Sequence, residues 1–113
     1  MPDPSPLEAF DTPAGTPFVI EHTAEEFTSL CPKTGQPDFA RVIVRYCPAD
    51  RCVELKSLKL YLWSFREVGA FHEAITNSIL DDLVAAVKPR RMTVEGDFYV
   101  RGGIHTVVEA SYP

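Results

Sequence analysis

A chain of 113 residues with 45% hydrophobic content suffices for one core and one domain, and is small enough that association with further copies would add stability. Eleven Lys and Arg against 16 Asp and Glu leave a formal net charge of -5 with no dense basic patch, which argues against direct nucleic-acid binding and for a small-molecule partner. No apolar run approaches a membrane span, and the start MPDPSPLEAFDTPAGTP lacks the basic and apolar regions of a secretion signal, so no membrane partner and a cytoplasmic location are expected.

In chain order, residues 1–16 carry Pro2, Pro4, Pro6 and Pro13 among Ser, Asp and Gly, and read as a flexible, extended or disordered lead-in to one domain over 17–113. PFVIEH from Pro17 has strand composition and feeds through an acidic, Thr-rich stretch into Leu30 and Cys31. After CPKTGQPD, the segment FARVIVRYC alternates, with Ala40, Val42, Val44 and Tyr46 on one face and Arg41, Ile43, Arg45 and Cys47 on the other. CPADRC reads as a turn, and VELK beyond it as the returning antiparallel partner. From Ser57, a plausible N-cap, Leu58, Tyr61, Leu62 and Phe65 recur at helical spacing until Gly69. Ile75, Ile79, Leu80, Leu83, Val84 and Val87 form the stripe of a second helix, with His72 and Glu73 in its first turn and Lys88 and Pro89 at its end. MTVEGDFYV and IHTVVEASY then pair across Gly102 and Gly103 as a hairpin. The order ββααββ implies an α+β domain: an antiparallel sheet, both helices on one face, and two open edges that another copy's sheet could cover.

CPKTGQPD places a thiol, Cys31, and a carboxylate, Asp38, seven residues apart. Pro32 and Pro37 exclude helix and Gly35 permits a turn, so a folded-back loop could aim both side chains at one point. A thiol nucleophile needs a group that manages protons within hydrogen-bond reach, and a carboxylate can be that group. By itself the segment reads equally as a surface turn with a chance cysteine. The other cysteines, Cys47 and Cys52, are separated by four residues, which is no CxxC ligand motif, and three cysteines cannot all pair in one chain.

Taken together, CPKTGQPD, ELKSLKLY at 54–61 continuing into LWSFR, FHE at 71–73 and RGG at 101–103 resemble the NADPH-dependent nitrile reductases of queuosine biosynthesis, the QueF family, in its short single-module form. The resemblance runs from about residue 17 to 113 and implies the tunnelling fold, whose subunits join sheets into an oligomeric barrel with active sites between subunits. It implies reduction of 7-cyano-7-deazaguanine to 7-aminomethyl-7-deazaguanine, with two NADPH per turnover. On the same resemblance Cys31 is the nucleophile that forms a thioimide with the nitrile, and Asp38 is the general acid. Val53, Glu54, Leu55, His72 and Glu73 are the substrate-binding residues it implies, and Lys56, Ser57, Lys59, Arg101 and Gly102 the cofactor contacts, with no metal. The chemistry of these residue types is consistent with such roles. A Glu carboxylate can accept two parallel ring N–H donors, lysines at a helix start can meet phosphate, and Lys33 is the cation nearest in sequence to lower the pKa of Cys31.

Glu73 would serve equally as compensation for a helix dipole, and Lys56 and Lys59 as solvated lysines of an ordinary amphipathic helix. Two other classes stay open at this point. One is a zinc-dependent relative on the same fold, collecting Cys and His ligands. The other is a purine-binding or scaffold protein without the chemistry, which would need neither Cys31 nor Asp38.

Overall fold

The alternation in FARVIVRYC sets the centre of the fold. In the computed structural model, which describes residues 2–113, the elements follow as β1 (Ala9–Asp11), β2 (Ile20–Leu30), β3 (Pro37–Cys47), β4 (Arg51–Val53), α1 (Leu55–Trp63), α2 (His72–Val87), β5 (Arg91–Arg101) and β6 (Ile104–Tyr112). Four strands form an antiparallel sheet in the order β2-β3-β5-β6. Along β3 every second residue from Asp38 to Tyr46 is buried, while Arg41 and Arg45 face solvent. Ala40, Val42, Val44 and Tyr46 pack with Met92, Val94 and Phe98 of β5 under Leu58, Tyr61 and Leu62 of α1 and Ile75, Ile79, Leu83 and Val87 of α2. Both helices therefore cover one face of the sheet. Each fully buried aliphatic side chain in this layer contributes about 1.5–3 kcal/mol of transfer free energy. Within the described residues β2 and β6 are the open edges of this sheet, and no helix is long and apolar enough to cross a membrane.

Several boundaries differ from the sequence reading, each for a local reason. The lead-in is not structureless throughout: Ala9, Phe10 and Asp11 lie between prolines with their N–H groups free, and pair antiparallel with Val53, Cys52 and Arg51. Residues 51–53 thus join β1 instead of returning along β3, and the rest of VELK is no strand. Glu54 ends β4 and caps α1, its carboxylate accepting from the Lys56 and Ser57 amides at 2.9 and 2.8 Å. This moves the helix start from the expected Ser57 to Leu55. The Ser57 hydroxyl is buried, donating to the Glu54 carbonyl at 2.7 Å and accepting from the Glu8 amide at 3.0 Å, which ties the lead-in to α1. The helix stops at Trp63, and the chain turns through residues 64–67 until Gly69 bridges to Leu30.

The strand expected from Pro17 begins at Ile20 and runs on through the acidic stretch to Leu30. A bulge permits this. Ala24 pairs with Val42 and Phe27 with Ala40, so β2 carries one extra residue, Glu25 and Glu26 both face solvent, and Phe27 returns to the core. Helix α2 and the last hairpin lie where periodicity placed them: Lys88 closes α2 in the left-handed conformation, φ 44°, just before Pro89. Gly102 and Gly103, φ 60° and 80°, turn the hairpin in a region that side-chain-bearing residues disfavour.

Candidate active site

Cys31 stands one residue beyond the end of β2, and the loop 31–36 that follows is closed by backbone bonds. The Cys31 amide donates to the Gln36 carbonyl at 2.8 Å, and the Gly35 amide to the Cys31 carbonyl at 2.8 Å, with Gly35 at φ 73°. The turn brings the Thr34 hydroxyl and the backbone amides of Thr34 and Lys33 to the thiol, and these donors hold its pKa below the ordinary thiol value, against smaller opposing effects of desolvation and then of the Asp38 charge. Lys33 thus acts through its amide; its ammonium is not the cause.

Asp38 is not on the loop. Pro37, which has no N–H to contribute, takes the first position of β3, and strand alternation then turns Asp38 inward beside Ala40. Its side chain is only 7% exposed. The Arg101 guanidinium, at the tip of the β5–β6 hairpin, donates to the Pro37 carbonyl and forms an ion pair with Asp38 Oδ1, both at 2.7 Å. His72 Nε2 lies 3.5 Å from Asp38 Oδ2. The His72 ring is stacked on Phe98, with centroids 3.7 Å apart and planes within 4°. Thr76 reaches back one turn to the His72 carbonyl at 2.9 Å, fixing the start of α2. Cys31, Asp38, His72, Glu73 and Arg101, drawn from three elements and the loop, line one cleft of about 280 Å³ together with Pro32, Ala70, Phe71 and Thr106. The cleft offers a thiol, a buried carboxylate, a second carboxylate at the rim and aromatic walls.

The remaining sequence-predicted residues lie elsewhere. Glu54, Leu55, Lys56 and Lys59 line a separate groove of about 620 Å³ between β2 and α1. Capping holds the Glu54 carboxyl below its usual range, through the Lys56 amide first and then the Ser57 amide. Trp63 lies in the groove between two cations, with Lys59 Nζ 5.1 Å and the Arg66 guanidinium 4.8 Å from its ring centre. Groove and cleft share no lining residue. Ser57 is committed to backbone groups, Val53 is buried in the core at 3% exposure, and Gly102 forms the hairpin turn. Arg101, expected as a cofactor contact, stands at Asp38.

The groove's donor set fits a nicotinamide dinucleotide: three cations for phosphates, an indole face for a flat ring and an apolar floor of Leu55 and Leu62. Sequence reasoning passed over Phe71, Thr106, Thr34, Trp63 and Arg66. For Trp63 and Arg66 a signal was present, since Lys59, Trp63 and Arg66 follow at helical spacing on one side. Thr106 carried none. Among the described residues no three His, Cys, Asp or Glu are gathered as a metal site; Cys52 is buried beside Thr12 and Cys47 lies at the far end of β3.

Comparison with known proteins bears on this arrangement. A family model described as QueF-like protein matches residues 37–113. The NADPH-dependent 7-cyano-7-deazaguanine reductase of Anaeromyxobacter dehalogenans is 64% identical over 107 residues, which cover 94% of this chain and 88% of that one. The protein of the same name from Thermomicrobium roseum is 55% identical over 112 residues, covering 99% and 81%. Among solved structures, the archaeosine synthase QueF-Like in the apo form superposes with a TM-score of 0.80 at 25% identity, covering 86% of this chain and 95% of its own.

Proposed function

This chain belongs to the QueF-like family, and from that premise we propose that it reduces the nitrile of 7-cyano-7-deazaguanine to the primary amine with NADPH, in the cytoplasm. The observation that carries the reading is the cleft in which a thiol with a lowered pKa and a buried carboxylate face the same space. A nitrile is a poor hydride acceptor until something adds to it. The Cys31 thiolate adds to the nitrile carbon; the C–S bond forms, one C–N π bond breaks, and the nitrogen takes its proton from Asp38, giving a thioimide. Bound NADPH supplies hydride, and going from nitrile to amine is a four-electron change, so two are consumed per turnover. Between the two reductions the C–S bond breaks, the electron pair returns to Cys31, and an imine is left that must be kept from water.

The other cleft residues have roles that follow from position. Glu73, exposed at the rim in the first turn of α2, accepts from two adjacent N–H groups of the nucleobase. His72, held flat on Phe98, orders the wall next to Asp38. Lys56, Lys59 and Arg66 hold the cofactor phosphates, and Leu55 borders the nicotinamide end. Since cleft and groove are separate within one chain and both sheet edges are open, a homo-oligomer in which one copy's groove meets another's cleft is the assembly this reading requires. No contact with nucleic acid is part of it.

The test is an intact mass spectrum of the protein mixed with 7-cyano-7-deazaguanine and no NADPH, beside Cys31→Ala. A gain of one nucleobase in the wild type alone, discharged by adding NADPH, is the expected result. No gain with zinc in the sample would favour the metal-dependent relative, and no gain without metal a binding protein.

A further inference from the structure

Ser29 is fully buried, and its hydroxyl is, among the described residues, the one buried side-chain polar atom without a hydrogen-bond partner. An idle buried hydroxyl is a cost to the fold, and alanine would occupy the same space without it. Its place gives it a use. Ser29 is directly opposite Asp38 in the β2–β3 ladder, and both side chains turn to the helix-covered face. In such a pair the Cβ atoms are about 4.5–5.5 Å apart, within reach of a rotating hydroxyl. Asp38 has capacity to spare: Oδ1 is held only by its ion pair with Arg101, and His72 stands off Oδ2 at 3.5 Å, longer than a good hydrogen bond. Arg101 is 41% exposed at the mouth of the cleft, on a hairpin turned by two glycines, and is the partner best able to leave for an entering ligand.

We propose that Ser29 is a positioning residue for Asp38. When a substrate occupies the cleft and Arg101 withdraws from the carboxyl, the Ser29 hydroxyl donates to one Asp38 oxygen, so that the other, carrying the proton, faces the nitrile nitrogen. This rests on the reductase reading above. It adds a residue that touches neither substrate nor cofactor and acts only through the acid.

The experiment compares wild type, Ser29→Ala and Ser29→Thr in three measurements: thermal unfolding, adduct formation with 7-cyano-7-deazaguanine in the absence of NADPH, and steady-state NADPH oxidation. Ser29→Ala is expected to melt no lower than wild type, because it removes an unpartnered hydroxyl. It should still form the Cys31 adduct and keep its KM within about twofold while kcat falls roughly tenfold, and Ser29→Thr should recover most of that loss. An Ala variant with wild-type kcat would show the hydroxyl idle and overturn the proposal. A lower melting temperature with kcat and KM impaired together, or no recovery in a folded Thr variant, would make Ser29 a packing residue and overturn it equally. A wild type that consumes no NADPH with this substrate would instead overturn the reductase reading, and the proposal with it.

Discussion

Gly96 lies in the middle of β5, opposite Val42 and facing α2, where a Cβ would come 2.7 Å from Phe98 Cε2 and 2.8 Å from Thr76 Oγ1. Neither neighbour is free to yield. The Thr76 hydroxyl is bound to the His72 carbonyl, and the Phe98 ring, 1% exposed, is stacked on His72. Replacing a strand glycine by alanine normally stabilises by about 0.4–1 kcal/mol through the unfolded chain, whereas overpacking a core costs about 1–3 kcal/mol. The contacts decide the sign, and Gly96→Ala should lose a net of about 1–2 kcal/mol. With an unfolding entropy of about 2.1 cal/mol/K per residue over 113 residues, that is a fall of roughly 4–8 °C in Tm. Circular dichroism melts at fixed protein concentration measure it. The methyl should also displace Phe98, and with it His72 beside Asp38, so kcat should fall as well. In a Phe98→Leu background, where the ring is gone, the cost of Gly96→Ala should shrink. An alanine variant that melts at or above wild type would refute the reasoning, because it would mean that Phe98 and Thr76 can move without loss.

Three further outcomes test the site. Thr34→Val removes the leading donor to Cys31, so the pH midpoint of Cys31 alkylation, below the ordinary thiol range in the wild type, should move up; an unchanged midpoint would leave the Lys33 and Thr34 amides as the whole cause. The linked effect on stability has a defined sign. A thiol that ionises at lower pH in the fold than in the unfolded chain adds its full stability above the unfolded value and loses it as pH falls through the folded one. Asp38→Asn should slow reduction by about a hundredfold while nucleobase binding changes little, and equal loss of binding and turnover would remove Asp38 from the role of acid. Paired Lys56→Ala and Lys59→Ala should raise the KM for NADPH by tenfold or more, roughly 1.4 kcal/mol, and leave adduct formation without NADPH intact. Loss of the adduct instead would place the groove's function elsewhere.

Much of the fold was legible because it depends on period. The alternation from Ala40 to Tyr46 placed β3, the stripe from Ile75 to Val87 placed α2, and the glycine pair placed the last hairpin, since each burial pattern repeats within one element. The first half was less legible for physical reasons that no window shows. Residues 51–53 could pair with β3 or with something distant, and only the arrival of Ala9–Asp11 decides which. The acidic run Glu25–Glu26 stays in a strand because a bulge absorbs it, and Glu54, which reads as a strand residue, becomes a cap because its carboxylate meets two helix amides.

The site divides in the same way. Residue types and spacing offered a thiol and a carboxylate on one short segment, and the resemblance of the ordered motifs to the QueF family singled these out together with the His72-Glu73 pair, because chemistry is a property of side chains and motifs keep their order. Which groups meet was settled by the tertiary structure. It turned Asp38 inward by strand parity, brought Arg101 to it across 63 residues, and stacked His72 on Phe98. It also set Ser29 opposite Asp38 with an unpartnered hydroxyl and separated the lysine groove from the thiol cleft. Distances of a few ångströms between residues far apart in sequence are fixed by sheet register and core packing, and neither is local.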